Sequence, residues 1–367
     1  MKLDLRTIGG RFQIYGEYII GVPFGTGHIN DTYALTYDQG GTQVRYILQR
    51  INTSVFKAPE LLMENFVNVT GHIAGKIRAA RRSDRTLRKR TLEVVRTRAD
   101  GSPLLRDEEG NCWRCYVFVE NARTYDILET PEQAFQAARA FGVFQCDLAD
   151  LPVRLHETIP DFHNTPKRLA ALEAAVAADA AGRLKEVGPE LDFIRSRAEE
   201  CGRLLDLQKA GELTERTTHN DTKLNNVLID DLTGEGCCVI DLDTTMPGLP
   251  HYDFGDMVRT GTSPAAEDER DLAKVTMRFG MFEALLRGYL AGAGAFLNPL
   301  EKSLLPFSGK LIALEIGIRF LTDYLEGDRY FKVHRPGHNL DRCRTQLALV
   351  ASIESQFDAM RKLADQL

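Results

Sequence analysis

Short β-branched and aromatic runs broken by glycine occupy the first third of the chain, and long stretches with apolar residues every three or four positions occupy the rest. The pattern predicts strands over residues 13–22, 30–37 and 43–49, punctuated by Gly25, Gly27, Gly40 and Gly41. A helix is expected from Pro59, followed by a polar, basic stretch. Strands over 92–97 and 112–119 flank a turn containing Asp100-Gly101-Ser102-Pro103. From Pro131 the period is helical, over 131–148, 168–181, 189–209, 266–291, 299–326 and 340–367. One hairpin interrupts it, with strands at 226–230 and 237–241 joined by residues 232–236. The expected architecture is α+β and two-lobed: a small β-rich N-terminal lobe, residues 1–120, and a large helical lobe, residues 121–367, hinged near 118–122. No repeat or low-complexity segment is present.

Composition narrows the function. The chain has 367 residues, 43% of them hydrophobic, with 46 Lys and Arg against 52 Asp and Glu for a net charge of −6. That is the balance of a globular protein, and mild acidity argues against bulk binding of nucleic acid. No apolar run is long enough to cross a bilayer, and the charged start Met1-Lys2-Leu3-Asp4-Leu5-Arg6 is unlike a signal peptide, so a cytoplasmic location is expected. Seven scattered cysteines fit a reducing compartment. The pair in Cys112-Trp113-Arg114-Cys115 lies on a predicted strand, where the two thiols face opposite sides, which suits filler better than redox or zinc chemistry. Residues 76–90 carry eight Lys and Arg with only Asp84 in opposition, read as a solvated face.

Reactive side chains concentrate in Thr218-His219-Asn220-Asp221-Thr222-Lys223-Leu224-Asn225-Asn226, followed by Val239-Ile240-Asp241-Leu242-Asp243. A carboxylate, an amide and a second carboxylate gathered by a hairpin suit phosphoryl transfer, whose loose transition state needs positioning and charge neutralisation more than covalent help. Asp221 fits the base that accepts the acceptor's hydroxyl proton. Asn226 and Asp241 fit oxygen ligands for Mg²⁺, while Asp243 adds a ligand through water or shapes the site. His219 would hold the loop through backbone hydrogen bonds. Gly25-Thr26-Gly27-His28-Ile29-Asn30 joins two strands, and glycine there lets backbone amides approach phosphates, which makes Gly25, Thr26, Gly27, His28 and Asn30 candidate nucleotide contacts. The strand-loop-strand setting excludes a dinucleotide fold, and no Walker-type loop occurs.

With these motifs the sequence resembles the aminoglycoside phosphotransferase and choline kinase superfamily, and within it the bacterial N-acetylhexosamine 1-kinases. Carrying the resemblance are Gly27-His28-Ile29-Asn30, Arg45-Tyr46-Ile47-Leu48-Gln49, the two catalytic stretches, Met246-Pro247-Gly248, Asp253-Phe254-Gly255-Asp256, Leu305-Pro306-Phe307-Ser308-Gly309, and residues 319–328. The resemblance implies a bilobal, protein-kinase-like fold. It also implies ATP and Mg²⁺ as donor and cofactor, an N-acetylhexosamine (GlcNAc or GalNAc) as acceptor, and no obligate protein partner. By the same likeness Asp253 and Asp256 buttress the catalytic loop rather than bind metal. Adenine docks at Phe118, Glu120 and Ala122, and Arg319 with Tyr330 contacts the sugar.

One departure stands out: the lysine expected on the third strand is replaced by Gln49, so the phosphates need another source of positive charge. Arg50 should face the other side, and Glu64 reads as a surface residue. His163 is expected to brace a loop. Rival readings are a kinase of an aminoglycoside, choline or other small alcohol, and a nucleotide-binding pseudokinase.

Overall fold

Asp4 accepts the Thr7 amide at 3.1 Å and starts helix α1, Leu5–Gly10. Three strands follow, β1 (Glu17–Pro23), β2 (Asp31–Gln39) and β3 (Thr42–Ile51). Gly40 and Gly41, at φ of 67° and 88°, make the tight turn that folds β2 onto β3 in unbroken register from Gln39↔Thr42 to Asp31↔Arg50. After helix α2 (Pro59–Ala80) come β4 (Val94–Val95), β5 (Leu105–Arg106) and β6 (Cys112–Val117). The antiparallel sheet runs β1-β2-β3-β6-β4, with β5 added to β6. This computed structural model describes residues 4–25, 29–82, 84, 89–125 and 127–367.

Alternation along β6 divides its side chains between two cores. Trp113 and Cys115 pack with Leu35, Tyr37 and Leu48 under the sheet. Cys112 joins the larger core, shared with Leu62, Phe66, Val69, Ile73 and Ile77 of α2. The two cysteines therefore face apart as expected, and all seven cysteines are free.

The rest is mostly helical. β7 (Ala122–Arg123) leads to α3 (Pro131–Leu148), opened by a capping box between Thr130 and Gln133. Then come α4 (Thr165–Ala178), α5 (Gly188–Arg195), α6 (Arg203–Lys209), β8 (Arg216–Thr218), β9 (Val227–Asp230), β10 (Gly236–Val239) and β11 (Met246–Gly248). Helices α7 (Pro250–Gly261), α8 (Phe279–Ala293), α9 (Pro299–Ser303), α10 (Leu305–Glu326), α11 (His338–Ser355) and α12 (Phe357–Ala364) complete the chain. The mixed α+β class with a sheet first and helices after is as expected. No helix among the described residues is long and apolar enough to cross a membrane.

Four helical expectations change, the first being 299–326, which breaks at Leu304 into α9 and α10. The segment 189–209 is two helices, because Arg197 turns back onto the Phe193 carbonyl at 2.8 Å and pairs with Glu354. Helix α8 begins at Phe279 rather than near 266, since Asp271 caps a separate 3₁₀ turn at Leu272–Lys274. The last helix breaks at Gln356. Helix α7 has no counterpart in the sequence reading: all its residues but Thr260 are buried, so no polar face marks a helical period. It lies tight on α10, where a Cβ at Gly255 would meet the Ser308 carbonyl at 2.5 Å.

Candidate functional site

The catalytic loop is built on buried hydrogen bonds to its own backbone. Asp253, on α7, accepts the His219 amide at 2.9 Å and the Asn220 amide at 2.7 Å, and Gln145 donates to the same carboxylate. Thr222 Oγ1 donates to the Asp253 carbonyl. Asn220 is left-handed at φ 65°, held by its side chain against Thr218 and the Thr244 carbonyl. His219 accepts the Asp221 amide on Nδ1 at 3.3 Å, which leaves the Nε2 proton for the Ile240 carbonyl at 2.9 Å. Phe141 and Phe144 meet its ring edge-on.

These contacts bring Asp221, Asn226 and Asp241 together. Asn226 Nδ2 donates to the Asp221 carbonyl at 2.9 Å. The Ile240 amide donates to the Asn226 carbonyl at 2.9 Å, in line with the Val227↔Val239 pairing of β9 and β10. Asp241 follows directly, in left-handed backbone at φ 56° and reached by solvent. Despite that exposure, partial dehydration by the protein around it, then the charges of Asp243 and Asp221, push its carboxyl up to about 6. Burial would raise Asp221 as well, but the Lys223 ammonium, 3.1 Å away, and nearby His219 hold it below the usual range. Lys223 is raised in turn, first by Asp221. The sequence reading gave this lysine no role, although it stands two residues after Asp221.

The oxygen donors fit Mg²⁺. Two neighbouring carboxylates add to dehydration in raising Asp241, and a divalent cation would relieve that share. An ion of this kind binds through one or two carboxylates plus substrate phosphates. Asn226 and Asp241 would hold it.

Several of the expected site groups are engaged by protein partners. Asp243 has both oxygens engaged, one by the Arg114 guanidinium and the other by Asn30 Nδ2 at 2.6 Å, which suits the role of shaping the site. Asn30 likewise has its side chain engaged, its Oδ1 accepting the Asn52 amide at 3.0 Å, which leaves the backbone-amide contact expected of the loop untouched. Asp256 does not hold the loop amides, which Asp253 takes; it pairs with Arg259 at 2.7 Å, and its Oδ2 is buried without a partner. At the hinge the Glu120 carbonyl already accepts from Arg90, so it is not an open docking group, whereas Ala122 is a non-hydrogen-bonded partner of Asp230, the ladder bond running from the Asp231 amide to the Asn121 carbonyl, and its own backbone groups face away from β9. Phe118 keeps its place beside the glycine loop, edge-on to Phe24 at 5.4 Å, with the Arg45 guanidinium over its ring at 3.8 Å. Gly25 takes φ 77° with open space around it. Thr26, Gly27 and His28 lie outside the described residues.

His163 links this loop to α10. Its Nδ1 pairs with Glu315 at 2.8 Å and its Nε2 donates to the Asn220 carbonyl at 3.1 Å. One turn further, Arg319 makes no hydrogen bond or ion pair among the described residues. Its guanidinium instead lies 5.5–5.8 Å from the rings of Phe162, Tyr330 and Phe331. Asp323 does not pair with it, because that carboxylate accepts the amides of Arg329, Tyr330 and Phe331 and the Asn339 side chain. Tyr330 is 65% exposed. The basic stretch is partly structural: Lys76 pairs with Asp150, Lys89 with Asp147 and Arg90 with Asp230. Glu64 meets His156 at the surface.

Residues 21–294 match the phosphotransferase enzyme family. Among solved structures the chain is similar to an aminoglycoside phosphotransferase from Alicyclobacillus acidocaldarius, at 13% identity and TM-score 0.61 over 100% of this chain and 98% of that one. A microcompartment-associated aminopropanol kinase aligns at 17% identity and TM-score 0.55, covering 97% of each chain. A choline/ethanolamine kinase family protein from Mesorhizobium loti aligns at 15% identity and TM-score 0.53, covering 95% and 93%. At these identities the likeness is one of fold.

Proposed function

We propose that this chain, which belongs to the phosphotransferase enzyme family, is an ATP- and Mg²⁺-dependent kinase that phosphorylates the anomeric hydroxyl of an N-acetylhexosamine. The observation that carries the reading is the Asp221, Asn226 and Asp241 cluster on a loop locked by Asp253. Asp221 takes the proton of the attacking hydroxyl, the hydroxyl oxygen bonds to the γ-phosphorus, and the bond to ADP breaks. When bound, Mg²⁺ neutralises the phosphate oxygens. A fold neighbour described as a ternary complex with streptomycin and ATP, at TM-score 0.52, supports ATP as donor. We take residues 1–120 as the nucleotide lobe and 121–367 as the acceptor lobe.

Arg319 supports the acceptor. A half-buried guanidinium in no ion pair among the described residues, beside aromatic rings and with its nearest acid, Glu315, already held by His163 and Thr165, suits a neutral, carbonyl-bearing ligand such as an acetamido sugar. A second reading, an amino-alcohol or aminoglycoside kinase, draws on a 130 Å³ pocket against Asn220 lined by Glu157, Asp161 and Glu215. Arg154 already pairs with Glu157 and Glu215, and Lys167 with Asp161, which leaves little charge there to attract a cation. The test is ADP release with N-acetylglucosamine, N-acetylgalactosamine, choline, 1-amino-2-propanol and an aminoglycoside. Phosphorus NMR then identifies a sugar 1-phosphate. Turnover with an amino alcohol and none with either sugar overturns the acceptor, and no turnover with any alcohol supports the pseudokinase rival.

A further inference from the structure

We infer that Arg114, on β6, supplies the positive charge that meets the nucleotide phosphates in place of a lysine on β3. The inference rests on the ATP-dependent reading above. Strand β3 carries no lysine, and Gln49 stands where one is expected. Gln49 and Arg114 are direct partners in the β3–β6 ladder, so their side chains share a face of the sheet. Arg114 Nε donates to Gln49 Oε1 at 2.8 Å, and Gln49 Nε2 donates to Thr32 Oγ1 at 2.9 Å. Glutamine thus acts as a bracket that fixes the plane of the guanidinium.

The other edge of that plane reaches the metal end of the site. Nη1 pairs with Asp243, two residues after Asp241, and the Asp241 charge also raises the Arg114 guanidinium. The Phe66 ring of α2 lies 4.8 Å from its carbon. Nη2 is left without a hydrogen bond among the described residues. A lysine in this position joins a carboxylate and the phosphates through one point charge, whereas a planar fork does so through separate edges. A side chain rooted one strand away leaves the same face of the sheet beside the Gln49 position, so it converges on the same region.

The nearby cations are otherwise engaged. Arg50 points to the opposite face and pairs with Asp31, Arg45 pairs with Glu120, and Lys223 sits on Asp221. Arg114 is buried, at 1% exposed, and pairs with Asp243 two residues from Asp241.

Binding of ADP and of adenosine to the full chain, with Mg²⁺, separates a phosphate role from a structural one. R114M should weaken ADP binding tenfold or more while adenosine stays within twofold, and adding Q49K to R114M should recover most of the ADP affinity. ADP affinity within twofold of wild type in R114M, or equal loss of ADP and adenosine, overturns the inference. If R114M does not fold, because Asp243 is left unpaired, R114M/D243N removes both charges and is read by the same comparison. Wild-type protein that binds no ADP overturns the nucleotide reading itself, a result distinct from wild-type binding that R114M retains.

Discussion

Asp253 Oδ1 accepts the amide of Asn220 at 2.7 Å, and Asn220 is one of the few non-glycine residues in left-handed backbone. A left-handed asparagine persists only where its surroundings over-determine it. Here a buried carboxylate supplies that constraint one residue before Asp221. The backbone that carries Asp221 is therefore aimed by a carboxylate on helix α7.

Replacing Asp253 with alanine should orphan two buried amides, at about 1–3 kcal/mol each. Asp253→Asn keeps one acceptor oxygen and turns its carboxamide NH₂ toward a donor on the other side. We expect D253N to lower kcat by at least about tenfold with a smaller change in nucleotide KM, because the loop carrying Asp221 relaxes while the glycine loop does not. Steady-state kinetics beside thermal unfolding checks this, and unchanged kcat in a folded D253N removes Asp253 from the positioning role.

Asp221→Asn should lower kcat by about 10²–10⁴-fold, the usual share of a positioned base. Its ion pair with Lys223 is open to solvent, with side chains 25% and 48% exposed, so little stability should be lost. Single-turnover kinetics with a nucleotide-binding measurement separates chemistry from affinity. Turnover near the wild-type rate would refute Asp221 as the base.

His163 and Glu315 make stability depend on pH. Burial alone would lower the histidine, but Glu315 and the Asn220 carbonyl, with a smaller push from Asp256, raise it above its ordinary value of 6.5. Its share of stability is present below that value and lost as pH rises through the raised native value. Burial would raise Glu315, but His163, Thr165 and nearby Arg319 hold it below its ordinary 4.5, so its share is lost only as pH falls through that depressed value. Melting temperature should accordingly decline from neutral to alkaline pH, and His163→Gln should flatten that decline. His163→Ala, which leaves Glu315 buried and unpaired, should cost about 3–5 kcal/mol. A pH profile in H163Q identical to wild type would show that the pair does not govern the slope.

The parts of this site that are legible in sequence are those adjacent along the chain. His219, Asp221 and Asn226 fall within eight residues, and a hairpin delivers Asp241 beside them. What escapes is set by register and long-range packing. Arg114 meets Gln49 across a separation of 65 residues, and the cysteines on either side of it attract more notice than it does. Asn30 meets Asp243 across 213, and the bond spends both side chains on holding the glycine loop over the hairpin. Helix α7 is hidden because burial on every side erases the polar stripe that marks other helices, and the sheet and α3 are plain because one alternates and the other is capped.

Arg319 offers the sharpest division between acceptors. It breaks no ion pair when removed, so Arg319→Met should leave the melting temperature close to wild type while stripping five donors from the proposed sugar site. A charge-assisted hydrogen bond to a sugar carbonyl or hydroxyl contributes about 1.5–3 kcal/mol. KM for the N-acetylhexosamine should thus rise about ten- to a hundredfold, with nucleotide KM unaffected and Arg319→Lys recovering part of the loss. For a cationic acceptor the same change would remove a repulsion, and R319M would then lower KM for choline or an aminoglycoside. The sign of the KM change in one variant therefore decides between the two acceptor classes, and a fall for the amino alcohol would redirect the enzyme from sugars to amines.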